Sequence, residues 1–156
     1  MCIRDSFDIE KKTSASELLS EMDQCRTLDT INLGVLTRVG NAYLLSYKGK
    51  ENWSSDLSTA SQALDVNVLH HLILQPACGI DTRNQHDLGH LTYVRGNEPP
   101  LEIIKNVSDY DFVFFVNRPD LDQIFEVAEI GETMPQKSTY FYPKVYSGLV
   151  TAGIGD

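Results

Sequence analysis

Apolar residues recur at three- and four-residue spacing in two stretches of the chain, and this period predicts two helices. The first runs from Leu64 to Gln75, with Asp65 as a candidate N-cap and Pro76 expected to end it. The second is opened by Pro119 and closed by Gly131. Its apolar stripe, expected to face the core, is formed by Leu121, Ile124, Phe125 and Ala128.

Other patterns predict strands and shorter elements. Ser14 and Glu17 have the spacing of a capping box, which predicts a helix between Phe7 and Cys25. Apolar residues on either side of Gly40-Asn41 predict a hairpin over 31–47 with a type II′ turn. Further along the chain, the patterns predict a strand over Leu91–Arg95, a helix over Pro99–Val107, a strand over Tyr110–Asn117 and an extended segment over Ser138–Val150.

Taken in order, these elements predict the α/β class (or α+β), with a mixed sheet and flanking helices. An N-terminal helix and a hairpin come first, followed by a β-α-β-α-β arrangement. The centre of the strand over Tyr110–Asn117 is apolar at every position, which is typical of a strand that is covered on both faces.

Charge and composition exclude several classes of function. A chain of 156 residues with a net charge of −9 fits one domain and lacks the basic surface of a nucleic-acid-binding protein or a polybasic membrane anchor. Three cysteines without Cys-x-x-Cys spacing indicate a reduced, cytoplasmic protein without disulfides. His86 and His90 lack the partners of a metal set, so we expect no metal site.

The candidate chemistry lies in the polar-aromatic stretch, residues 131–148, where side chains that can bind an anion or a carboxylate are concentrated. Lys137 and Lys144 can neutralise an anion, and hydroxyl groups can donate hydrogen bonds to it. Glu132 can act as a base or bind a hydroxyl or amine. The catalytic candidates are therefore Glu132 and Lys137, and the substrate-binding candidates are His70, Ser138, Thr139, Tyr140, Tyr142 and Lys144.

Each of these candidates also has a structural interpretation. In an extended backbone, Ser138, Tyr140 and Tyr142 face one way and the residues between them the other, so the stretch is also typical of an edge strand with its aromatic side chains on the core. His70 lies at the edge of the apolar stripe of its helix, where a histidine is usually a structural residue. His71 is expected to be solvated.

Two motifs resemble those of the bacterial family called domain of unknown function 1015. The first is Leu-Asp-Val-Asn-Val-Leu-His over 64–70, continued by Leu72-Ile73-Leu74 and Gly79-Ile80. The second is Gly-Glu-Thr-Met-Pro-Gln-Lys-Ser-Thr-Tyr-Phe-Tyr-Pro-Lys over 131–144, continued by Ser-Gly-Leu-Val over 147–150. The resemblance extends over roughly 7–150.

The resemblance implies that residues 7–156 are the C-terminal part of a single larger domain or of a two-part protein. An upstream Asp-Gly-His-His-Arg-Tyr type segment, similar to one in ParB-like proteins and free-serine kinases, would then be missing. It further implies ADP or ATP with magnesium as the cofactor of the intact protein. Residues 1–6 resemble a translated sequencing adapter and are expected to be a non-native tail.

Two functions follow from these patterns. The first is an enzyme part for phosphoryl transfer or hydrolysis on a small phosphorylated metabolite such as phosphoserine or serine, completed by the missing N-terminal part. The second is a non-catalytic structural or oligomerisation module, in which a homo-oligomer or the N-terminal part covers the surface. Neither function involves nucleic acid or a membrane.

Overall fold

In the computed structural model, helices lie on both faces of a four-stranded antiparallel sheet, which confirms the predicted α/β class. The structure describes residues 3–25, 30–49, 56–84, 86–94, 107–135 and 138–139. The strands are β1 (Phe7–Lys12), β2 (Asn32–Thr37), β3 (Ala42–Tyr47) and β4 (Phe112–Phe115). The α-helices are α1 (Ile3–Ser6), α2 (Ala15–Cys25), α3 (Thr59–Gln62), α4 (Asp65–Leu69), α5 (Gln75–Cys78) and α6 (Leu121–Glu129). A π-helical segment covers His70–Leu74, and 3₁₀ turns cover Asp87–His90 and Val107–Asp109.

The sheet has the strand order β1-β3-β2-β4, and each described pair of strands is antiparallel. The predicted mixed sheet is therefore antiparallel in the described residues. Side chains alternate between two faces because successive residues of a strand point to opposite sides. The long helix formed by α4, the π segment and α5 packs on one face, in a core of Phe7, Leu33, Val35, Leu45, Val68, Leu69, Leu72, Ile73 and Leu74. Helix α2 packs on the other, in a core of Leu18, Met22, Leu36, Ala42 and Leu44.

The predicted hairpin is confirmed, but its loop is formed by residues 38–40 and not by the predicted pair Gly40-Asn41. The carbonyl of Thr37 accepts a hydrogen bond from the amide of Gly40 at 2.8 Å, and the amide of Thr37 donates to the carbonyl of Asn41 at 3.0 Å. Gly40 has a φ of 82°. This is the pattern of a three-residue loop whose last residue is left-handed, so glycine is needed at its end and not at the start of a two-residue turn.

The helix predicted from the capping box is also confirmed. The amide of Glu17 donates to the hydroxyl of Ser14 at 3.1 Å. The carboxylate of Glu17 accepts from the amide of Thr13 at 2.7 Å, one residue before the cap, and also from the Thr13 hydroxyl. The cap of the Glu17 amide by Ser14 is as the sequence predicts, but the Glu17 carboxylate binds Thr13 and not the amide of the cap residue itself.

The long helix begins one residue earlier than the predicted N-cap implies, and it continues past Pro76 to Cys78. Its N-cap is Leu64, so Asp65 is the first helical residue and not the cap. The amide of Gln75 donates to the carbonyl of His70, five residues earlier, which marks the π segment. We attribute the continuation to this wider turn, since a proline ring crowds the carbonyl four residues before it in a regular α-helix. Gly79, with a φ of 69°, then ends α5.

Several predicted elements differ from the structure. Strand β1 was not predicted, because its charged residues hide the alternation of a strand. The predicted strand over Leu91–Arg95 is wrong for Leu91–Val94, which form neither strand nor helix and have no strand partner. Most of the predicted helix over Pro99–Val107 and of the extended segment over Ser138–Val150 lies outside the described residues.

Strand β4 contacts both faces, as its apolar pattern predicts. Phe114 packs against the core under the long helix, while Val113 and Phe115 pack against the core under α2. These side chains are only half-buried because β4 pairs with β2 alone among the described strands and so lies at the edge of the sheet.

The predicted burial of the α6 stripe is wrong. Leu121 and Phe125 are each 62% exposed, and Val127 is instead the fully buried residue of the helix. The apolar residues of the stripe have helical spacing, as predicted. The face of α6 that is buried, however, is the one that carries Val127 and not the one that carries Leu121 and Phe125. Within the described residues, none of the helices is long and apolar enough to cross a membrane.

The first described residues pack against the rest of the fold. Ile3 contacts the core under the long helix, and Ser6 is buried. The carbonyl of Ser6 accepts from the amide of Lys48 at 2.9 Å, and the Lys48 ammonium donates to the carbonyl of Arg4 at 3.0 Å. Helix α1 therefore continues the packing of β1 whatever the origin of these residues.

Candidate functional site

The polar-aromatic stretch begins at the end of α6, where Gly131 reverses the chain. Gly131 has a φ of 79°, and its amide donates to the carbonyl of Ala128 at 3.0 Å. The amide of Glu132 donates to the carbonyl of Val127 at 3.2 Å. These two bonds form a Schellman motif, which confirms the predicted position of Gly131 and fixes the direction in which Glu132 leaves the helix.

The carboxylate of Glu132 is bound at the start of α3. Oε1 accepts from the amide of Ser58 at 2.9 Å, and Oε2 accepts from the Ser58 hydroxyl at 3.0 Å and from the Ser61 hydroxyl. Ser58 is the N-cap of α3, because its Oγ also accepts from the amide of Ser61 at 3.1 Å. Glu132 thus links the end of α6 to a loop more than seventy positions earlier.

These contacts set the electrostatics of Glu132. The hydrogen bond from Ser61, helped by those from Ser58, lowers the pKa of this carboxyl below its usual value, although partial burial acts in the opposite direction. The donors also occupy about three of its roughly four lone-pair sites. A carboxylate held in this way is well suited to fixing a segment in place and less suited to taking up a proton.

Ser138 and Thr139 are the two other candidates of the stretch that the structure describes, and both are half-buried. The Ser138 hydroxyl donates to the carbonyl of Pro135 at 2.7 Å, and the Ser138 amide donates to the same carbonyl at 3.3 Å. Ser138 is therefore bound to the carbonyl of Pro135 by both its amide and its side chain. The remaining candidates, Lys137, Tyr140, Tyr142 and Lys144, lie outside the described residues.

His70 is buried in the first position of the π segment, with 7% of its surface exposed. Its Nδ1 lies 3.1 Å from the hydroxyl of Thr82, in the loop after α5. Burial, together with the nearby His71, lowers the pKa of His70 to about 4, so the imidazole is neutral near pH 7. His71 is half-buried and not solvated as expected, because the loop over Asp81–Arg83 lies close to it.

A half-buried carboxylate that the sequence did not identify as a site, that of Asp65, lies at the other end of the long helix. Oδ2 of Asp65 accepts a hydrogen bond from the side-chain Nδ2 of Asn117 at 3.1 Å and a second one from the backbone amide of Asn117 at 3.3 Å. The Asn117 side chain also donates to the carbonyl of Asn32 at 3.3 Å. Burial raises the pKa of Asp65 to about 6, against the lowering effect of the Asn117 hydrogen bonds. Only an aspartate in a helical first turn was visible in the sequence, since its partner lies fifty-two positions away.

The described candidates do not converge on a single point. Glu132 is joined to α3, whereas His70 is joined to Thr82 and Ser138 to Pro135. Ser58, Ser61 and Thr82 were not predicted as partners, because a serine or threonine in a polar loop carries no distinctive spacing. Among the described residues, no group of three or more His, Cys, Asp and Glu side chains could hold a metal ion.

Comparison of the chain with family models, with curated proteins and with solved structures gave no match. The fold and the contacts of Glu132 define an α/β protein in which the residue after Gly131 is bound to the start of α3. The resemblance to the family called domain of unknown function 1015 rests on the two motifs and stays a prediction.

Proposed function

We propose that this chain is part of a cytoplasmic enzyme for phosphoryl transfer or hydrolysis on a small phosphorylated metabolite such as phosphoserine. The observation that carries the proposal is the bonding of Glu132 to Ser58 and Ser61. This bonding attaches the first residues of the polar-aromatic stretch to the start of α3. The same stretch contains the predicted phosphate-binding residues.

In this proposal Lys137 and Lys144 hold the phosphate, and hydrogen bonds come from the hydroxyl groups of Ser138, Thr139, Tyr140 and Tyr142. The chain has a net charge of −9, so an anion is repelled by the protein as a whole and needs local lysines to bind. Phosphoryl transfer depends mostly on positioning and on charge stabilisation. In this proposal the bonding of Glu132 contributes to the positioning, and the two lysines supply the positive charge.

Glu132 has a positioning role in this account, because its lowered pKa and its three donors disfavour proton uptake. Lys137 remains the proposed catalytic residue. The upstream segment and a nucleotide with magnesium, both implied by the family resemblance, would complete the site. Within the described residues, no three His, Cys, Asp or Glu side chains lie together in a way that could hold the metal ion.

The second candidate function is a non-catalytic module that docks on another polypeptide. It is favoured by the exposed apolar side chains of α6, since Leu121 and Phe125 are each 62% exposed. Exposed apolar patches on a folded protein are typical of interaction surfaces. This function does not require the lysines of the polar-aromatic stretch.

A thermal-shift screen separates the two functions. Inorganic phosphate, phosphoserine and ADP are added to the wild type, to Lys137→Ala and to the control Lys11→Ala, whose side chain is exposed on β1. The enzyme proposal predicts stabilisation of the wild type and the control by at least one phosphorylated ligand, and none of Lys137→Ala. Equal responses in all three proteins, or no response in any, would contradict it.

A further inference from the structure

Helix α6 carries two adjacent rows of side chains that are both exposed. Leu121, Phe125 and Ala128 form an apolar row, and Asp122, Glu126 and Glu129 form an acidic row beside it. Positions three and four apart lie on the same helix face, which is why each row is continuous. We call these six residues, with Ile130 after the helix, the α6 surface.

Two of the three residues of the acidic row, Glu126 and Glu129, lie where the helix itself disfavours a carboxylate. The C-terminal end of a helix carries partial negative charge, and carboxylates there are destabilising. Glu126 and Glu129 lie in the last turns of α6, which have no basic residue. In the described part of the chain, no lysine or arginine forms an ion pair with either of them. A cation placed against this end would offset both the carboxylates and the helix dipole.

The two glutamates also border a shallow depression. It lies between α3 and the end of α6 and is lined by Ala60, Glu126, Glu129 and Ile130. Ile130 is 56% exposed, so the floor of the depression is partly apolar. An apolar side chain with a basic neighbour fits this arrangement better than a purely charged ligand does.

We propose that the α6 surface binds a basic amphipathic helix of a partner protein. Leucine-like side chains of that helix would cover Leu121 and Phe125, and its lysines or arginines would pair with Glu126 and Glu129. A second copy of this chain is disfavoured, because it would place one acidic row against another. A helix of nine residues is only about 14 Å long, so the interface is of the small, transient kind.

The probe for this proposal is a model helical peptide with leucine along one face and lysine beside it. Its binding is measured by calorimetry at low and at raised salt, against a peptide with glutamate in place of lysine. The wild type is expected to bind the lysine peptide, with weaker binding at raised salt. It is not expected to bind the glutamate peptide.

Three variants locate the binding. Leu121→Ser with Phe125→Ser and Glu126→Lys with Glu129→Lys should each weaken it by at least about tenfold. Asp23→Lys with Asp109→Lys is the matched control, because both residues are exposed and the net charge changes by the same amount. This control should retain most of the affinity.

Each other outcome overturns the proposal. Equal binding of the lysine peptide by all the variants would mean non-specific charge attraction. Absence of binding by the wild type would mean that the α6 surface is not a binding site for such a helix. Self-association of the wild type in sedimentation, lost in Leu121→Ser with Phe125→Ser, assigns the surface to a second copy. The α6 variants should respond to phosphoserine as the wild type does, so failure here is distinguishable from failure of the proposed enzyme.

Discussion

The side chain of Asn117 donates a hydrogen bond to the half-buried carboxylate of Asp65 at 3.1 Å and a second bond to the carbonyl of Asn32 at 3.3 Å. One amide group therefore joins the start of the long helix to the start of β2 and to the segment after β4. Oδ1 of Asn32 in turn accepts from the hydroxyl of Ser46 on β3 at 2.7 Å. This polar network joins the long helix to β2, to β3 and to the segment after β4, at the end of the sheet where β2 begins.

The first prediction concerns the pH dependence of this network. Burial raises the folded-state pKa of Asp65 from 3.8 to about 6. The folded protein therefore holds the proton of Asp65 more tightly than the unfolded chain does. For this reason Asp65 makes the free energy of unfolding fall as the pH rises from 3.8 to about 6. A shift of about two units corresponds to about 3 kcal/mol. Asp65→Asn keeps an acceptor for Asn117 and should be more stable than the wild type by about 2–3 kcal/mol above pH 6.

Urea unfolding of both proteins across the pH range tests this prediction. The advantage of Asp65→Asn should shrink as the pH falls below about 6 and be lost near the unfolded pKa of 3.8. The exposed Asp23→Asn is the control. A stability difference that does not change with pH would contradict the account of Asp65.

A second prediction concerns Lys12, which is buried at the end of β1 with 5% of its surface exposed. Its ammonium lies 2.8 Å from Glu10 and 2.6 Å from Glu21 of α2. Burial acts to lower the pKa of Lys12, but the hydrogen bonds to the two glutamates outweigh it and raise the pKa. Lys12→Met leaves the two carboxylates without their shared cation and should lower Tm clearly. Lys11→Met, on the exposed side of the same strand, should change Tm little, and equal effects would be evidence against this ion-pair cluster.

A third prediction concerns the turn after α6. Gly131 has a φ of 79°, a conformation that costs other residues about 1–2 kcal/mol. Gly131→Ala should therefore destabilise the protein by about 1 kcal/mol in chemical unfolding, although a Cβ there would meet no atom within 4 Å. Gly89 has equal space and no positive φ, so Gly89→Ala is the matched control. If the two variants lower the free energy of unfolding equally, the positive φ of Gly131 is not the cause of the destabilisation.

The fourth prediction concerns the link between Glu132 and α3. A double-mutant cycle of Glu132→Ala and Ser61→Ala should give a favourable coupling, because the two side chains share a hydrogen bond. Since that bond lowers the pKa of Glu132, the coupling should be present at neutral pH and lost as the pH falls through the folded pKa. The exposed Glu129→Ala in place of Glu132→Ala should give no coupling.

Local patterns were predictable from the sequence because the residues that determine them are neighbours. Ser14 and Glu17 locate the start of α2, and Gly131 locates the end of α6, since caps and turns depend on side chains within one turn of the chain. The hairpin over β2 and β3 was predictable for the same reason.

The rest depends on contacts between distant positions. Lys12 adds a charge to the sequence of β1, which is typical of an exposed strand. Its side chain is nevertheless buried, because it forms an ion pair with Glu21 of α2. The stripe of α6 has the period of a buried face, but which face is buried depends on how Val127 packs. The partners of Glu132, Asp65 and His70 are likewise far away in the chain. The bonding partners of these three residues were therefore not predictable from the sequence, and the composition of the candidate site stays a prediction.

The most direct test of the proposed phosphate binding is an NMR titration of the protein with phosphoserine. The amide and side-chain signals of Lys137, Tyr140 and Tyr142 should shift and saturate, whereas serine should cause no comparable change. The shifts should disappear in Lys137→Ala with Lys144→Ala and persist in Lys11→Ala. Silence of these three signals in the wild type, or the same response to serine, would contradict the claim that the polar-aromatic stretch binds phosphate.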